Sequence, residues 1–243
     1  RFHSTVYHCV DRIQAQPGMP VAELESAEQD LCGAVNAVFT TAPQLQAALS
    51  PLNAGTHLFG NVADASHFVQ ARSGALSRPS DLPSIDGPCL IFIGAIDAYK
   101  LDLPLLEALA AGNPQWTFIL IGPVGETDPS TDASVLTAHH NVHWLGPKPY
   151  SELPAYLAVA DVALLPLQLN DYTRHMYPMK FFEYLAAGCP VVSTAIPSLL
   201  DQADVACLCP PDVEPFQAAI AALLKGDGPP LERRLARAAQ FTY

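Results

Sequence analysis

The sequence predicts an α/β protein built around a doubly wound parallel sheet. Short apolar runs of strand length alternate with stretches of helical periodicity along most of the chain, and this alternation indicates parallel strands joined by crossover helices. Half of the 243 residues are apolar, so the chain can form one large core or two smaller ones. We therefore expect an α/β fold with one complete sheet and a second, partial one.

The first part of the chain is predicted to form the partial layer. Apolar runs of strand length lie at residues 6–10, 37–41 and 56–59, and helical stretches lie at residues 21–34 and 43–49. Only these three strands precede a break in the pattern. A chain that opens directly on a strand and closes in mid-pattern is expected to be part of a longer protein, with a small complete protein as the alternative.

A linker is expected at residues 74–87. This segment is rich in Ser, Pro, Gly and Asp and poor in aromatic and β-branched residues, a composition typical of turns and loops. The linker divides the chain into a first domain at residues 1–73 and a second domain at residues 88–243.

The second domain is predicted to be the complete doubly wound unit, because the alternation of strands and helices restarts and continues to its end. Strands are expected at residues 89–94, 117–122, 142–145, 162–166, 190–193 and 205–208. Helices are expected at residues 103–111, 151–159, 178–187, 215–224 and 231–239, with a further short helix that ends near residue 139.

Charge and composition exclude several classes of partner. Twelve basic and twenty-four acidic residues give a formal net charge of −12, which disfavours nucleic acids and extended contact with anionic membranes. The sequence contains no run of eighteen apolar residues and no signal-peptide core, so a cytoplasmic location is predicted. The six cysteines lack the paired spacing of zinc sites, and we interpret them as reduced core residues.

Loops at the carboxyl ends of the predicted strands are candidates for a ligand site, because open parallel sheets bind ligands there. After the strand at residues 89–94, Gly94 permits close approach of the backbone and Lys100 can reach an anion. Gly122 follows the next strand, where a ligand contact and a plain turn explain it equally well. Lys148 lies in a loop that two prolines stiffen. The chain has no G-x-G-x-x-G motif, so a nicotinamide cofactor is not predicted.

The loop that leads into the helix at residues 178–187 carries the strongest signal. Pro178 suits the first position of that helix, and the unpaired N–H groups of a helix amino end attract anions. Lys180 and Glu183 are three residues apart and therefore share a helix face. We expect Lys180, Thr173 and the helix amino end to hold a diphosphate while Glu183 accepts ribose hydroxyls. A solvated surface ion pair is the alternative.

Several stretches, taken in order, resemble the group 1 glycosyltransferases of the GT-B fold, bacterial enzymes that build cell-surface polysaccharides. Each stretch alone is a soft motif, but together they cover nearly the whole chain, and their order and spacing are specific. They are Val-Tyr-His-Cys-Val-Asp11, Glu28 with Ala-Val-Phe-Thr-Thr-Ala-Pro-Gln-Leu45, Asn61-Val-Ala-Asp64-Ala-Ser-His-Phe68, Phe92-Ile-Gly94, Phe118-Ile-Leu-Ile-Gly122-Pro123, Asn141-Val-His-Trp-Leu-Gly146, Asp161-Val-Ala-Leu-Leu-Pro166 and Lys180-Phe-Phe-Glu183-Tyr-Leu-Ala-Ala-Gly-Cys-Pro-Val-Val-Ser-Thr194.

The resemblance implies two Rossmann-like domains that face each other across a cleft, with a nucleotide sugar bound mainly to the second. Glu183 matches the second acid of the family's E-x7-E pattern, which typically contacts the ribose. His175 occupies the position of the first acid, where this chain departs from the pattern. The predicted donor-binding residues are Gly94, Lys100, Gly122, Lys148, Thr173, His175, Lys180 and Glu183.

The resemblance also implies transfer of a sugar from a nucleotide-diphosphate donor to an acceptor hydroxyl, with no cofactor and no metal. The expected partners are the nucleotide sugar and a saccharide or lipid-linked acceptor, with no nucleic acid and at most a peripheral attachment at the inner face of the membrane. His8, Asp11 and His175 are the candidate catalytic residues, and for His8 and Asp11 a structural role is the alternative.

Two other functions remain open at this point. One is a nucleotide-sugar-binding module without transfer activity, which the histidine at position 175 suggests. The other is a nucleotide-sugar epimerase of the same architecture, which would need acid–base residues in the cleft. If the chain is part of a longer enzyme, residues 1–243 alone are expected to bind the donor without transferring the sugar.

Overall fold

The computed structural model describes residues 4–243 and contains two parallel β-sheets. Residues 1–3, with which the predicted first domain begins, lie outside the described residues. The first sheet has the strand order β1-β2-β3, and its strands are β1 (Val6–Cys9), β2 (Ala37–Thr40) and β3 (Thr56–Leu58). Helix α1 (Val21–Ala34) joins β1 to β2, α2 (Pro43–Leu49) joins β2 to β3, and the short α3 (Ala65–Phe68) follows.

The second sheet contains six parallel strands in the order β6-β5-β4-β7-β8-β9. Its central strands β4 and β5 are buried along their whole length, which explains their uninterrupted apolar sequences, since parallel sheets are covered on both faces. The strands are β4 (Cys89–Ile93), β5 (Thr117–Ile121), β6 (Val142–Trp144), β7 (Val162–Leu165), β8 (Val191–Thr194) and β9 (Cys207–Cys209). The helices are α4 (Leu103–Gly112), α5 (Ser134–Thr137), α6 (Leu153–Leu157), α7 (Asp171–Arg174), α8 (Met179–Ala187), α9 (Val213–Leu224) and α10 (Leu231–Ala238).

The strand order of the second sheet reverses next to β4, and this reversal defines where a ligand can bind. β5 and β6 lie on one side of β4, whereas β7, β8 and β9 lie on the other. The loops that leave the carboxyl ends of β4 and β7 therefore run to opposite sides and open a crevice between them. Open α/β sheets bind their ligands in this crevice.

The segment that joins the two sheets packs against the second unit. Phe68, at the end of α3, is fully buried, and α3 contacts α8. The backbone N–H of Ala63 donates a 2.8 Å hydrogen bond to the carbonyl of Phe241. Residues 73–88, which include the predicted linker, form no helix or strand. The domain boundary after residue 73 stays a prediction.

The α/β class is confirmed, and each of the predicted strands overlaps a strand of the structure. Two helix predictions need correction. Pro178 is the extended N-cap residue of α8 and not its first helical residue, and the predicted helix at residues 151–159 is a 3₁₀ turn, Tyr150–Glu152, followed by the short α6. The four-residue helices α3 and α7 were not predicted, because segments this short show no periodicity.

Five of the six cysteines are buried, as expected of core residues, and Cys207 is half-buried; their reduced state stays a prediction. Burial raises the pKa of the Cys89 and Cys189 thiols to about 12, so both stay protonated at neutral pH. Within residues 4–243, no helix is both long enough and apolar enough to cross a bilayer.

Candidate functional site

The predicted Lys180–Glu183 pair forms at the amino end of α8. Lys180 Nζ lies 2.8 Å from Glu183 Oε2, as expected for residues one helical turn apart. The Glu183 side chain is only 3% exposed, whereas the Lys180 side chain is 28% exposed. Their neighbours Phe181 and Phe182 are fully buried. The pair is therefore partly buried, and the alternative of a solvated surface ion pair does not apply.

A cavity of about 320 Å³ lies between the two sheets, and we refer to it as the cleft cavity. Asp11 and Asn61 line it from the first unit, and Gly94 lines it from the end of β4. Lys100 and Lys180 bring two positive charges to its wall. Residues from the ends of both β4 and β7 contribute to the lining, so the cavity occupies the crevice at the reversal of strand order.

A second cavity of about 240 Å³, the side cavity, lies next to it. Its lining includes Gly122 from the loop after β5, Lys148 and Tyr150 from the loop after β6, and Gly94 and Lys180. Gly94 and Lys180 line both cavities. The two cavities therefore meet at the amino end of α8.

Lys100 and Asp11 both line the cleft cavity. The Lys100 ammonium lies 5.1 Å and 5.5 Å from the ring centroids of Tyr99 and Tyr172, a cation–π arrangement. Burial raises the pKa of the Asp11 carboxyl, and the hydrogen bond from Tyr172 and the positive charge of Lys100 partly oppose this shift. The ammonium of Lys100 thus stands at the cavity wall, where an anionic ligand can reach it.

Lys148 and Tyr150 form the outer wall of the side cavity. Lys148 Nζ lies 2.7 Å from Asp81 Oδ2, and this bond holds the pKa of the Asp81 carboxyl below its usual range. The Tyr150 ring stacks on His67 with a centroid distance of 4.7 Å and an interplanar angle of 18°. Tyr150 is nevertheless 47% exposed. An exposed aromatic ring is therefore held in a fixed orientation beside the cavity.

Two further hydrogen bonds join the two units next to the cleft. Arg12 Nε donates a 2.7 Å bond to Asp171 Oδ2 at the start of α7. The side-chain amide of Asn61 donates a 2.7 Å bond to the carbonyl oxygen of Tyr177. Tyr177 directly precedes Pro178, the N-cap of α8, so the first unit helps to fix the loop that leads into α8.

A protein-family model described as "Glycosyl transferases group 1" matches residues 87–226, which is more than half of the chain. The chain belongs to the group 1 glycosyltransferases. The matched residues contain the whole second sheet and the Lys180–Glu183 pair. Membership of the family confirms the resemblance on which the sequence analysis relies.

One curated relative of this group 1 glycosyltransferase comes from Bacillus subtilis. It is the putative teichuronic acid biosynthesis glycosyltransferase TuaH, and it is 38% identical to the chain over 119 residues. The alignment covers 49% of this chain and 30% of the relative. The chain therefore spans less than a third of the length of that relative.

Solved structures with the same fold include a complex with UDP and glucose and a sucrose-phosphate synthase. Anabaena HepE, in a complex with UDP and glucose, has a TM-score of 0.74 and 18% identity over 98% of this chain and 67% of its own. Sucrose-phosphate synthase from Thermosynechococcus elongatus has a TM-score of 0.72 and 21% identity over 98% of this chain and 63% of its own. At these identities the comparison shows the Rossmann-like fold of both units.

The predicted phosphate contact of Thr173 needs correction. In this group 1 glycosyltransferase, Thr173 is fully buried, and its hydroxyl donates to the carbonyl of Gln168. Its backbone N–H donates to the side chain of Asn170, with which it forms a reciprocal capping box at the start of α7. The groups of Thr173 that could bind phosphate are therefore used by the helix cap.

The predicted catalytic histidines do not line either cavity in the part of the chain that the structure describes. His175 is the C-cap residue of α7, and its Nδ1 lies 2.7 Å from the carbonyl oxygen of Asp171. A carbonyl only accepts, so Nδ1 is the donor in this contact. His8 is exposed on β1. Catalytic roles for His8, Asp11 and His175 stay predictions.

Three residues contact the predicted site but were missed in the sequence. Tyr150 lies two residues after Lys148, in a loop that was already predicted to border the ligand site, so its position in the sequence could have indicated its role. Asp97 lies one turn before Lys100, yet a single Asp in a loop is usually solvated. No sequence pattern around Tyr172 indicates its contact with Lys100, because that contact depends on how α7 packs against the distant loop after β4. Among residues 4–243, no three His, Cys, Asp or Glu side chains are grouped as metal ligands, and the absence of a metal requirement stays a prediction.

Proposed function

We propose that this chain binds a nucleotide-diphosphate sugar in the cleft between its two units, and that the protein transfers the sugar to an acceptor hydroxyl. The observation that carries the proposal is the position of the Lys180–Glu183 pair. Lys180 lies where both cavities meet, and the buried Glu183, which lines neither cavity, has its carboxylate 2.8 Å from the Lys180 ammonium. A diphosphate joined to a pentose presents the matching groups, namely anionic oxygens and hydroxyls.

The phosphates are expected at the boundary of the two cavities. Lys180 is the cation that lines both of them, and Lys100 lines the cleft cavity as well. The amino end of α8 adds unpaired N–H groups and a partial positive charge. In a cleft shielded from water, such fixed positive groups stabilise the charge that develops on a departing diphosphate.

The pentose and the base extend from there toward the side cavity. Glu183 is buried beside Lys180 and accepts hydroxyl groups without a large loss of its own hydration, because it is already desolvated. The side cavity is bounded by backbone at Gly122 and by the ring of Tyr150, surfaces that suit a flat heterocycle. The sugar itself then lies in the cleft cavity near Asp11 and Asn61, where the acceptor approaches.

The proposal includes a role in the synthesis of a polysaccharide or glycoconjugate, which is supported by the teichuronic acid enzyme that the chain resembles. The acceptor would be a saccharide or a lipid-linked saccharide. We place the protein in the cytoplasm, with at most a peripheral attachment at the inner face of the membrane. The formal net charge of −12 disfavours a broad contact with anionic lipids.

A panel of nucleotides tests the proposal directly. The melting temperature of the chain is measured with UDP, GDP, dTDP and their sugars, and UDP is tested first because HepE is a UDP complex. The matching nucleotide is expected to stabilise the chain by about 2.7 kcal/mol at a hundredfold excess over Kd. Magnesium and EDTA are compared in parallel, with no difference expected. A chain that no nucleotide stabilises would contradict the proposal.

A second measurement separates transfer from the two other functions. The chain, or a longer form of the protein, is incubated with the donor that binds and with candidate acceptors. Release of nucleoside diphosphate that depends on the acceptor indicates transfer. Release of an isomerised sugar without acceptor would indicate an epimerase, and binding with no turnover would indicate a binding module.

The exposed ring of Tyr150 provides a further prediction. Because His67 stacks on the ring beside the side cavity, Tyr150→Ala is expected to weaken UDP binding by about 5–150-fold, the range of one base–aromatic stack. The Lys180 ammonium also lies 5.9 Å from the ring centroid, so the loss is compared with that of inorganic pyrophosphate, which has no base. Tyr150→Phe retains the ring and serves as the matched control, with an affinity close to that of the unaltered chain. Isothermal titration measures both. Equal losses in the two variants would assign the effect to the phenol hydroxyl and contradict stacking.

A further inference from the structure

Asp97 is a fully buried carboxylate in the loop after β4. Its Oδ1 accepts hydrogen bonds from the backbone N–H groups of Thr127, at 3.1 Å, and Asp128, at 3.0 Å. Both donors belong to the loop after β5, so this oxygen ties together two of the loops that border the cavities. These bonds give Oδ1 a structural role that is complete in itself.

The second oxygen of the same carboxylate is different. Oδ2 is buried and has no hydrogen-bond partner in the described part of the chain. Oδ2 forms an ion pair with the ammonium of Lys100, which lies 3.6 Å away. Burying a carboxylate oxygen without a bonded donor is costly unless a positive charge compensates it. A loop tie alone would need only Oδ1, so the orientation of Oδ2 requires another explanation.

The surroundings of Lys100 supply that explanation. Its ammonium has the faces of Tyr99 and Tyr172 on two sides, and these two rings pack edge to face at 5.1 Å. Asp97 stands on a third side. The Lys100 side chain is 20% exposed and lines the cleft cavity, so its remaining side is directed at the cavity.

We infer that Asp97 is a positioning residue for Lys100: its buried carboxylate holds the ammonium at the wall of the cleft cavity, in the place from which it binds the diphosphate of the donor. Without the Asp97 carboxylate, the ammonium would move toward Asp11, whose carboxyl also interacts with the charge of Lys100. The inference rests on the proposed function for the identity of the ligand. It adds a residue that does not itself touch the ligand.

The variant Asp97→Asn isolates the effect of the charge. Its amide oxygen still accepts from Thr127 and Asp128, while its amide nitrogen replaces Oδ2 and faces Lys100 with a donor. Loss of a negative charge near the cavity would by itself tighten the binding of an anion. Loss of the ion pair with Lys100 would weaken the binding of the same anion, so the two effects have opposite signs. We expect the anchor to dominate, with UDP and inorganic pyrophosphate both bound about 5–20-fold more weakly.

A double-mutant cycle decides whether Asp97 acts through Lys100. Kd for UDP and for pyrophosphate is measured in the unaltered chain, Asp97→Asn, Lys100→Met and the double variant. If Asp97 acts through Lys100, Asp97→Asn causes no further loss of affinity in the Lys100→Met variant. Glu126→Gln removes one negative charge from an exposed position of the loop after β5 and is the matched control, with less than about a twofold change in Kd. Tighter binding by Asp97→Asn, or equal losses with and without Lys100, would overturn the inference.

Two readouts need no ligand. In the first, acylation of lysines is followed by mass spectrometry, with the exposed Lys225 as internal reference, and Asp97→Asn is expected to raise the labelling rate of Lys100. In the second, Lys100→Met leaves the buried carboxylate uncompensated and lowers Tm by about 5 °C, and adding Asp97→Asn restores at least about half of that loss. If Asp97→Asn alone lowers Tm, the coupling is taken as the difference between the effects of Asp97→Asn on Tm in the unaltered chain and in Lys100→Met.

The two proposals fail in different ways. If the unaltered chain binds no nucleotide but Lys100 labelling and the recovery of Tm behave as expected, the proposed function is wrong and the anchor is supported. If UDP binds but Lys100 labelling is unchanged by Asp97→Asn, the proposed function is supported and the anchor is overturned.

Discussion

Glu183→Gln is expected to weaken UDP binding by about 10–100-fold, the loss that follows when a charged partner of one or two hydrogen bonds is removed. The carboxylate accepts through both oxygens, whereas the amide accepts through one and presents a donor in place of the other. The replacement also leaves Lys180 without the carboxylate that now lies 2.8 Å from its ammonium. The side chains are equal in size, so the core around α8 is preserved.

Comparison of two ligands assigns the loss to the pentose. Glu183→Gln is expected to weaken UDP far more than inorganic pyrophosphate, because pyrophosphate lacks the ribose. Lys180→Ala is expected to weaken both ligands by a similar factor. Glu214→Gln changes an exposed glutamate in the first turn of α9 and serves as the charge-matched control. Equal losses of both ligands in Glu183→Gln would remove the ribose assignment and leave Glu183 as a support for Lys180.

The sheets could be predicted because burial on both faces leaves a clear record in the sequence. β4 reads Cys-Leu-Ile-Phe-Ile and β5 reads Thr-Phe-Ile-Leu-Ile, and every residue of both strands is buried. Runs of this kind, separated by helical stretches, have few interpretations other than parallel strands. The expected position of a ligand site followed from the same pattern, because the carboxyl ends of such strands are where ligands bind.

Single side chains were harder to assign, because local and distant partners compete for them. Thr173 carries a hydroxyl next to the predicted anion site, but Asn170, three residues earlier, uses it in a capping box. The Asn-x-x-Thr spacing was present in the sequence, and it favoured the cap. For Glu183 the surrounding aromatic residues indicated burial correctly, since they flank it in the same helix.

Contacts between distant loops are the part that sequence patterns do not show. Asp97 accepts its hydrogen bonds from residues 30 and 31 positions further along the chain. Tyr172, which follows β7, contacts Lys100, which follows β4. The same applies to the bond from Asn61 to Tyr177. Each of these depends on how close two loops come, and that distance is set by the packing of whole helices.

Gly122 shows how close two of these loops come, and its replacement is expected to have the largest effect on stability. Gly122→Ala would place a Cβ atom 1.9 Å from the carbonyl oxygen of Gly94 and 2.7 Å from its carbonyl carbon. Gly122 also has a φ of +143°, a conformation that residues with a side chain rarely adopt. Both neighbouring atoms belong to the backbone, so a change of rotamer cannot relieve the overlap.

We expect Gly122→Ala to lower the free energy of unfolding by at least about 3 kcal/mol, and Tm by about 6–12 °C. Gly112→Ala is the matched control, because the end of α4 has no atom within 4 Å of the added Cβ and a helix favours Ala over Gly by up to about 1 kcal/mol. Denaturant and thermal unfolding measure both variants. A Gly122→Ala chain as stable as Gly112→Ala would mean that the loops after β4 and β5 are free to separate, and the two cavities would then not be a fixed feature of the fold.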